Sequence, residues 1–492
     1  MTTRITGRGA TTALLALLAV AAWSPTFARP VSPDEGGFLI VASQWRAGRS
    51  LYGDYWVDRP PLLIALHALA DAAGGLPALR VLGAAAVAGT VLLAGVLAAV
   101  ANPSTGRRPQ VPTWVAAVLV ASPLLGSTEV AGELLTTPIV LGGLVCLMRA
   151  LRAERARAVV GWSVATGALG VAAPLIKQNA VDVGLAAGVV VLGLLIRHDR
   201  RWWPLTGGVA AGAIGTLAVV LAAAAMRGTD PGPLFQAVVT FRLHAGQLLQ
   251  QRAPTSDALR LRRLLTDGAL GGLPLLWLCL GLRVRHRATG PLPDLRWVAL
   301  ALLAWESVAV LGGGSYWLHY LLDLVPGTVL LALAAGQPRV TSSGTDRAPA
   351  TRLLGAALTI TAVTTIAAVA ASVADRSALD SDHAVISWLR SHARAGDTAT
   401  VAFGHADILY GSGLRSPYVN MWSLPTRVRD PHLDGLRAVL RSRRAPTWLV
   451  VPGAGLGSWG AHSHAAERTL ERRYRLVVQL PHDAVWRHRS AR

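Results

Sequence analysis

The chain has 492 residues, of which 52% are hydrophobic and 15% charged, with two cysteines. An ordinary soluble domain carries about 25% charged residues, so this composition excludes a soluble single-domain protein. The formal net charge is +20, but the basic residues are scattered between apolar blocks, and nucleic acid is therefore not a predicted partner. Both cysteines lie inside apolar blocks, which excludes a disulfide framework and a cysteine metal cluster.

Apolar segments close to the length that spans a bilayer recur along the first three quarters of the chain. They predict about eleven transmembrane helices, at residues 10–28, 81–101, 113–128, 134–148, 158–173, 180–196, 204–225, 268–282, 297–313, 319–336 and 353–373. Every second connection is rich in arginine and is therefore predicted to be cytoplasmic, together with the N-terminus. The external segments are then 29–79, 129–133, 174–179, 226–267, 314–318 and 374–492. This pattern predicts a multi-pass protein of the plasma membrane.

The first apolar block has a second interpretation. It follows Arg8 and ends in small residues at 26–28, as a cleaved signal peptide does. Cleavage after Ala28 would leave the acidic residues Asp34 and Glu35 close to a loose new terminus. We therefore favour an uncleaved first helix.

The C-terminal segment 374–492 alternates between helix-like and strand-like stretches. The helical stretches are 383–394, 431–443 and 463–474, and the extended stretches are 398–403, 447–451 and 475–480. Such an alternation is typical of a small α/β domain. The sequence thus predicts a helical membrane domain at 1–373 and an extracytoplasmic α/β domain at 374–492.

Ionisable side chains gather at the predicted outer ends of the spans. A charge in the middle of a bilayer costs about 2.5–3.5 kcal/mol, so such side chains are informative. The convergence predicts a water-facing site between spans, although outer helix ends are often polar for no functional reason. Glu306 lies near mid-span instead, where we favour a structural hydrogen bond over a transport role. The outer residues are Asp34, Glu35, Asp54, Asp58, Arg59, His67, Arg80, Glu129, Glu133, Lys177, Gln178, Asn179, Asp182, His319 and Asp323.

The most specific pattern lies in the first external loop. Asp34 follows a proline and has two possible roles: it can cap the next helix, or act as a general base for a hydroxyl group held at the membrane surface. Arg59 offers a forked donor suited to phosphate, and the two prolines after it would start a helix that fixes its direction. The alternative for Arg59 is a local ion pair with Asp58.

This loop resembles the first external loop of the GT-C membrane glycosyltransferases. The resemblance is strongest to glycosyltransferase family 39, which includes protein O-mannosyltransferases and the lipid A aminoarabinose transferase. The matching features are an acidic pair after the first span, Gly-x-x-x-Tyr-x-Asp at 48–54, and a basic residue before Pro-Pro-Leu at 59–62. Residues 132–137, 177–178 and 316–320 extend the resemblance over the membrane domain. It implies a GT-C fold with a catalytic first external loop at 29–79.

Such enzymes transfer a sugar from a polyprenyl-phosphate donor to an external acceptor, with inversion at the anomeric carbon. The resemblance implies that Asp34 is the base and that Glu35 positions the acceptor or holds Asp34. The implied ligands of the donor phosphate are Arg59, Lys177 and His319, and further site candidates are Asp54, Asp58, Glu133, Gln178 and Tyr320. Relatives often carry arginine where this chain has His319, which would make the donor contact weaker or dependent on pH. The scheme requires no metal, and the question of a divalent cation stays open.

The implied partners are the membrane, the lipid-linked sugar donor, and a glycan, lipid or protein acceptor. Two other classes of protein compete with an enzyme. A transporter or lipid-sugar flippase would explain the many spans and Glu306, but no pair of interrupted apolar segments occupies matching halves of the chain. A non-catalytic scaffold of the cell envelope would require the acidic loop to be dispensable.

Overall fold

The computed structural model describes residues 3–101, 110–251, 255–285, 293–337, 347–374, 381–453, 455–457 and 461–490. The α-helices are α1 Thr3–Trp23, α2 Pro33–Gln44, α3 Pro61–Ala72, α4 Leu76–Ala101, α5 Gln110–Val120, α6 Gly132–Arg152, α7 Ala156–Ala172, α8 Asp182–Ile196, α9 Trp202–Met226, α10 Pro231–Phe235, α11 Phe241–Gln251, α12 Thr255–Leu270, α13 Leu273–Val284, α14 Leu295–Gly312, α15 Val325–Ala335, α16 Arg347–Ala374, α17 Ser381–His392, α18 Ala406–Ser412, α19 Ser423–Arg429, α20 Asp434–Arg441 and α21 His464–Arg473. The strands are β1 Ala399–Val401, β2 Trp448–Pro452, β3 Tyr474–Gln479 and β4 Asp483–His488. Shorter elements are 3-10 helices at Ser24–Ala28, Pro123–Leu125 and Leu318–Leu324 and a π-helical turn at Gln236–Thr240.

Each predicted span coincides with an apolar helix. Within the described residues, seven segments are long and apolar enough to cross a membrane: Gly9–Ala28, α4, α6, α9, α14, Leu318–Ala335 and α16. Helices α12 and α13 form an eighth candidate that is bent by 53°. The predicted spans at 113–128, 158–173 and 180–196 correspond to the shorter apolar helices α5, α7 and α8. The protein is therefore a multi-pass membrane protein with a mainly helical fold, as predicted.

The chain divides into two compact units. The first comprises Met1–Phe27, Arg80–Val220 and Thr255–Ala374, and the second comprises Ala28–Leu79, Leu221–Pro254 and Asp375–Arg492. The second unit thus joins the whole of the predicted first external loop, 29–79, to the C-terminal segment, although the two are far apart in sequence. The functional division into 1–373 and 374–492 stays a prediction.

The second unit contains a four-stranded sheet with the order β1-β2-β4-β3. Strands β1 and β2 are parallel, and β4 pairs antiparallel with both β2 and β3. Leucines of α20 and α21 pack with buried residues of β2 in a shared core. The small α/β domain is therefore confirmed. The sequence did not reveal β4, α18 and α19.

Glu306 joins two helices in the interior of the first unit. It lies on α14, is 1% exposed, and its Oε1 accepts a hydrogen bond of 2.8 Å from the backbone N–H of Gly327 on α15. Away from water a backbone donor must find a protein acceptor. From the sequence we favoured a structural hydrogen bond for Glu306 over a role in transport, and this contact is such a bond.

The role of Glu306 can be tested by two substitutions of similar size. Glu306→Gln keeps an acceptor for Gly327 and should leave the thermal unfolding midpoint nearly unchanged. Glu306→Leu leaves that N–H buried without an acceptor and should cost about 1–3 kcal/mol. Unfolding of the detergent-purified protein measures both, and equal stability of the two variants would contradict the structural role.

Candidate functional site

Helix α2 of the second unit begins with a capping box. The backbone N–H of Glu35 donates to Ser32 Oγ at 3.2 Å, and the backbone N–H of Ser32 donates to Glu35 Oε2 at 3.0 Å. Ser32 is therefore the N-cap, and the expectation that Asp34 caps this helix is wrong. Glu35 is 1% exposed, so its carboxylate holds the first turn together. The side chain of Asp34 is left available for other contacts.

The two oxygens of Asp34 have different neighbours. The indole N–H of Trp422 donates to Asp34 Oδ1 at 2.9 Å. Arg59 Nη2 lies 4.0 Å from Asp34 Oδ2, which is beyond hydrogen-bond reach, and the Asp34 side chain is 30% exposed. A partly exposed carboxylate that is oriented through one oxygen has the geometry that suits a general base.

Trp422 reaches Asp34 because α2 presents two adjacent glycines. A Cβ on Gly37 would collide with the Trp422 ring, and a Cβ on Gly36 would lie 2.9 Å from the Cα of Asp407 on α18. The Trp422 ring also packs against Phe38, with 5.5 Å between ring centroids. Only glycine at both positions permits so close an approach. Gly36 and Gly37 were visible in the sequence, but nothing there identified Trp422 as their neighbour.

Asp58 lies between two arginines. Arg59 Nη1 is 3.0 Å from Asp58 Oδ1, and Arg242 Nη2 is 2.8 Å from Asp58 Oδ2. Burial alone would raise the pKa of Asp58, but the charges of Arg242 and Arg59 outweigh it and hold that pKa below its usual value. The local pair with Asp58 therefore exists, and it fixes Arg59 beside Asp34. Arg242, on α11, belongs to no motif and was not predicted.

Asp54 belongs to a different part of the second unit. It forms an exposed ion pair of 2.5 Å with Arg49. Both residues line an open cavity of about 950 Å³, whose arginines are Arg46, Arg49, Arg415 and Arg444. Asp54 therefore belongs to the wall of a basic cavity, which suits an anionic ligand.

Lys177 is the centre of a polar cluster in the first unit, in the turn between α7 and α8. Its Nζ pairs with Glu133, lies 3.7 Å from Asp323 Oδ2, and lies 4.3 Å from the centroid of the Tyr320 ring. Gln178 is half-buried in the same turn. The structure thus brings the predicted site residues Lys177, Glu133 and Tyr320 into contact, with Gln178 next to Lys177 in the chain.

His319 joins this cluster from the 3-10 helix Leu318–Leu324. Its Nδ1 lies 2.8 Å from Glu129 Oε1, and its Nε2 lies 3.7 Å from Glu133 Oε1. Gly126, with φ 77°, packs against the backbone of His319 so closely that a side chain would collide there. Together with Asp323, three carboxylates accompany the two basic side chains, so the positive charges of the cluster are paired internally and acidic groups are in excess.

The many apolar helices and the small α/β domain together have the architecture of a polytopic membrane protein with a GT-C fold. Among solved structures the chain is similar to ArnT from Cupriavidus metallidurans bound to undecaprenyl phosphate, with a TM-score of 0.62 and 14% identity over 96% of this chain and 97% of that chain. The apo state of ArnT gives a TM-score of 0.61 and 14% identity over 98% of both chains. The GT-C fold predicted from the loop is therefore confirmed.

A second glycosyltransferase shares the fold over part of its length. The arabinofuranosyltransferase AftD from Mycobacteria gives a TM-score of 0.50 and 17% identity, over 97% of this chain and 41% of that chain. No protein-family model and no curated protein matches the sequence. At these identities the likeness establishes the fold and leaves the chemistry to be argued from the residues.

Asp58 and Asp54, which both pair with arginine, should differ sharply in their effect on stability. Asp58→Asn leaves Arg59 and Arg242 without their shared partner and should cost about 2–4 kcal/mol, because removing one member of a buried ion pair exposes the desolvation cost of the other. Asp54→Asn is the matched control and should change stability by less than about 1 kcal/mol, since its pair is exposed. Thermal unfolding in detergent measures both.

The ion pairs of Asp58 with Arg59 and Arg242 predict that the stability of the fold depends on pH. The folded-state pKa of Asp58 lies below its unfolded value of about 3.9, so the stabilisation is fully present above that value. It is lost as the pH falls through the folded pKa. Wild type should therefore lose more stability than Asp58→Asn below about pH 4. Parallel loss in both proteins would contradict this assignment.

Proposed function

We propose that this chain is a membrane glycosyltransferase that moves a sugar from a polyprenyl-phosphate donor to an acceptor hydroxyl on the external face, with inversion. The observation that carries the proposal is the setting of Asp34: its Oδ1 accepts a hydrogen bond from Trp422, its Oδ2 lies 4.0 Å from Arg59, and its side chain is 30% exposed. The fold shared with ArnT, which was solved with undecaprenyl phosphate, supports a lipid phosphate as the carrier.

The reaction is a single displacement. Asp34 Oδ2 accepts the proton of the acceptor hydroxyl while the acceptor oxygen attacks the anomeric carbon. The bond between that carbon and the phosphate oxygen breaks, and the bonding pair leaves with the polyprenyl phosphate. Attack opposite to the leaving group inverts the configuration. A positioned base of this kind contributes about 10²–10⁴-fold to the rate.

Arg59 stabilises the leaving group. Negative charge grows on the phosphate as the bond breaks, and a fixed guanidinium lowers the barrier most at that point. Asp58 orients Arg59 and also binds Arg242, which adds a second positive charge to this cluster. Lys177 and His319 of the first unit stay predicted ligands of the donor phosphate. In that role, the donor phosphate would take the place of Glu133 beside Lys177 and of Glu129 beside His319.

The proposed orientation follows the distribution of arginine. The N-terminus is cytoplasmic, while the proposed active site and the C-terminal α/β domain are extracytoplasmic. The acceptor class comprises glycans, lipids and proteins that carry a hydroxyl group. A transporter is less well supported: that alternative rested on the many spans and on Glu306, and Glu306 accepts a hydrogen bond from the backbone N–H of Gly327.

The proposal is tested by sugar transfer in membrane vesicles supplied with a panel of labelled polyprenyl-phosphate sugars. Asp34→Asn should insert normally and lower transfer by about 10²–10⁴-fold, because the amide cannot accept the proton. Asp71→Asn, an exposed acid on α3, is the control at equal expression. Full activity of Asp34→Asn would rule out Asp34 as the base.

Trp422 acts as a positioning residue for Asp34. Trp422→Phe keeps an aromatic ring against Phe38 but removes the N–H donor, so kcat should fall about 10-fold while KM for the donor stays the same. Trp388→Phe on α17 is the matched control. Steady-state kinetics with the lipid donor separate the two constants. A change confined to KM, or equal loss in the control, would contradict the positioning role.

A further inference from the structure

A second cluster of ionisable side chains lies in the C-terminal part of the second unit, apart from the side chains that surround Asp34. Asp382 is on α17, His405 directly precedes α18, and Asp407 is in the first turn of α18. One potential ligand atom of each lies within 4.8 Å of those of the other two. His405 Nδ1 is 3.1 Å from Asp382 Oδ2. Two elements of the fold, α17 and the start of α18, thus bring these three side chains together.

Two carboxylates in and beside this cluster are buried without sufficient partners. Asp407 is 3% exposed, and its Oδ1 has no hydrogen-bond donor among the described residues. Asp483, at the start of β4, is 1% exposed, and neither of its oxygens has a donor there. Buried charged groups in proteins are ordinarily paired, hydrogen-bonded or bound to a metal.

The cluster holds more carboxylates than basic groups. Asp382 and Asp407 lie around the single imidazole of His405, which pairs with Asp382 at 3.1 Å. One imidazole balances at most one of the two negative charges, so a divalent cation held by the three side chains would stabilise the arrangement.

We propose that Asp382, His405 and Asp407 bind a divalent transition-metal ion, with Zn²⁺ as the best match. Imidazole is a poor ligand for Ca²⁺ and Mg²⁺, which prefer oxygen alone, whereas Zn²⁺ accepts imidazole and carboxylate together. Ligands bound at 2.0–2.1 Å in tetrahedral geometry lie roughly 3.3 Å apart. The 3.1 Å between His405 and Asp382 fits that spacing.

The ion would fix the surface on which α2 packs. It links α17 to the first turn of α18, and the Cα of Asp407 lies directly against Gly36 of α2. The metal site therefore supports the helix that carries Asp34 without touching the reacting groups. This inference goes beyond the proposed glycosyl transfer and does not depend on it.

The test uses the full-length protein in detergent, stripped with EDTA, transferred to metal-free buffer and equilibrated with ZnCl₂ or MnCl₂. Mass spectrometry of bound metal should find one Zn²⁺ per chain. The thermal unfolding midpoint should rise by about 2 °C or more at saturating zinc, because an ion that binds only the folded state stabilises it. A further sample of the stripped protein is loaded with Co²⁺, whose absorption bands report on the geometry of the ligands.

The double variant Asp382→Asn/His405→Gln should lose the bound zinc and the shift in midpoint. The control Asp434→Asn/His464→Gln changes exposed residues of the same chemistry and should keep both. If the double variant is poorly folded, His405→Gln alone should lower zinc affinity by at least about 10-fold. Retention of stoichiometric zinc by these variants, or no zinc in the wild type, would overturn the proposal.

Discussion

The close packing of α2 against α18 and Trp422 determines the arrangement of the second unit around Asp34. It depends on the absence of two side chains, at Gly36 and Gly37, because a single Cβ at either position would meet backbone or an aromatic ring. One helical turn places Asp34 at the end of the same face, where the indole N–H meets its carboxylate. A steric constraint therefore sets the position of the proposed catalytic group.

Burial decides which charges contribute to structure. Asp58 is 6% exposed and binds two guanidinium groups, so its charge cannot be removed without leaving both unpaired. The pair of Asp54 with Arg49 has the same chemistry but lies in water, where its energy is small. In the first unit, Lys177 is balanced by carboxylates in the same way. The charges of Asp58 and Lys177 are thus paired inside the protein, whereas the pair of Asp54 with Arg49 is exposed to solvent.

Local patterns were readable from the sequence, and long-range contacts were not. The apolar blocks, the prolines that start α3 and the spacing of the first loop predicted the helices and the GT-C fold. The Ser-x-x-Glu spacing at Ser32 and Glu35 is that of a capping box, whereas from the sequence we offered capping as one of two roles for the adjacent Asp34. Helices of seven residues, such as α18 and α19, are too short to show a period. Arg242 and Trp422 approach the loop through tertiary packing alone.

The contact between Asp34 and Trp422 spans 388 residues of the chain. At translation rates of about 5–20 residues per second, the loop waits roughly 20–80 s for its indole partner to be synthesised. Throughout that interval the Asp34 carboxylate lacks its indole donor, although the capping box of α2 needs only residues 32–35. The carboxylate is oriented only after Trp422 has been made and the segment around it has folded. The order of synthesis therefore makes the orientation of Asp34 a late event in the folding of the second unit.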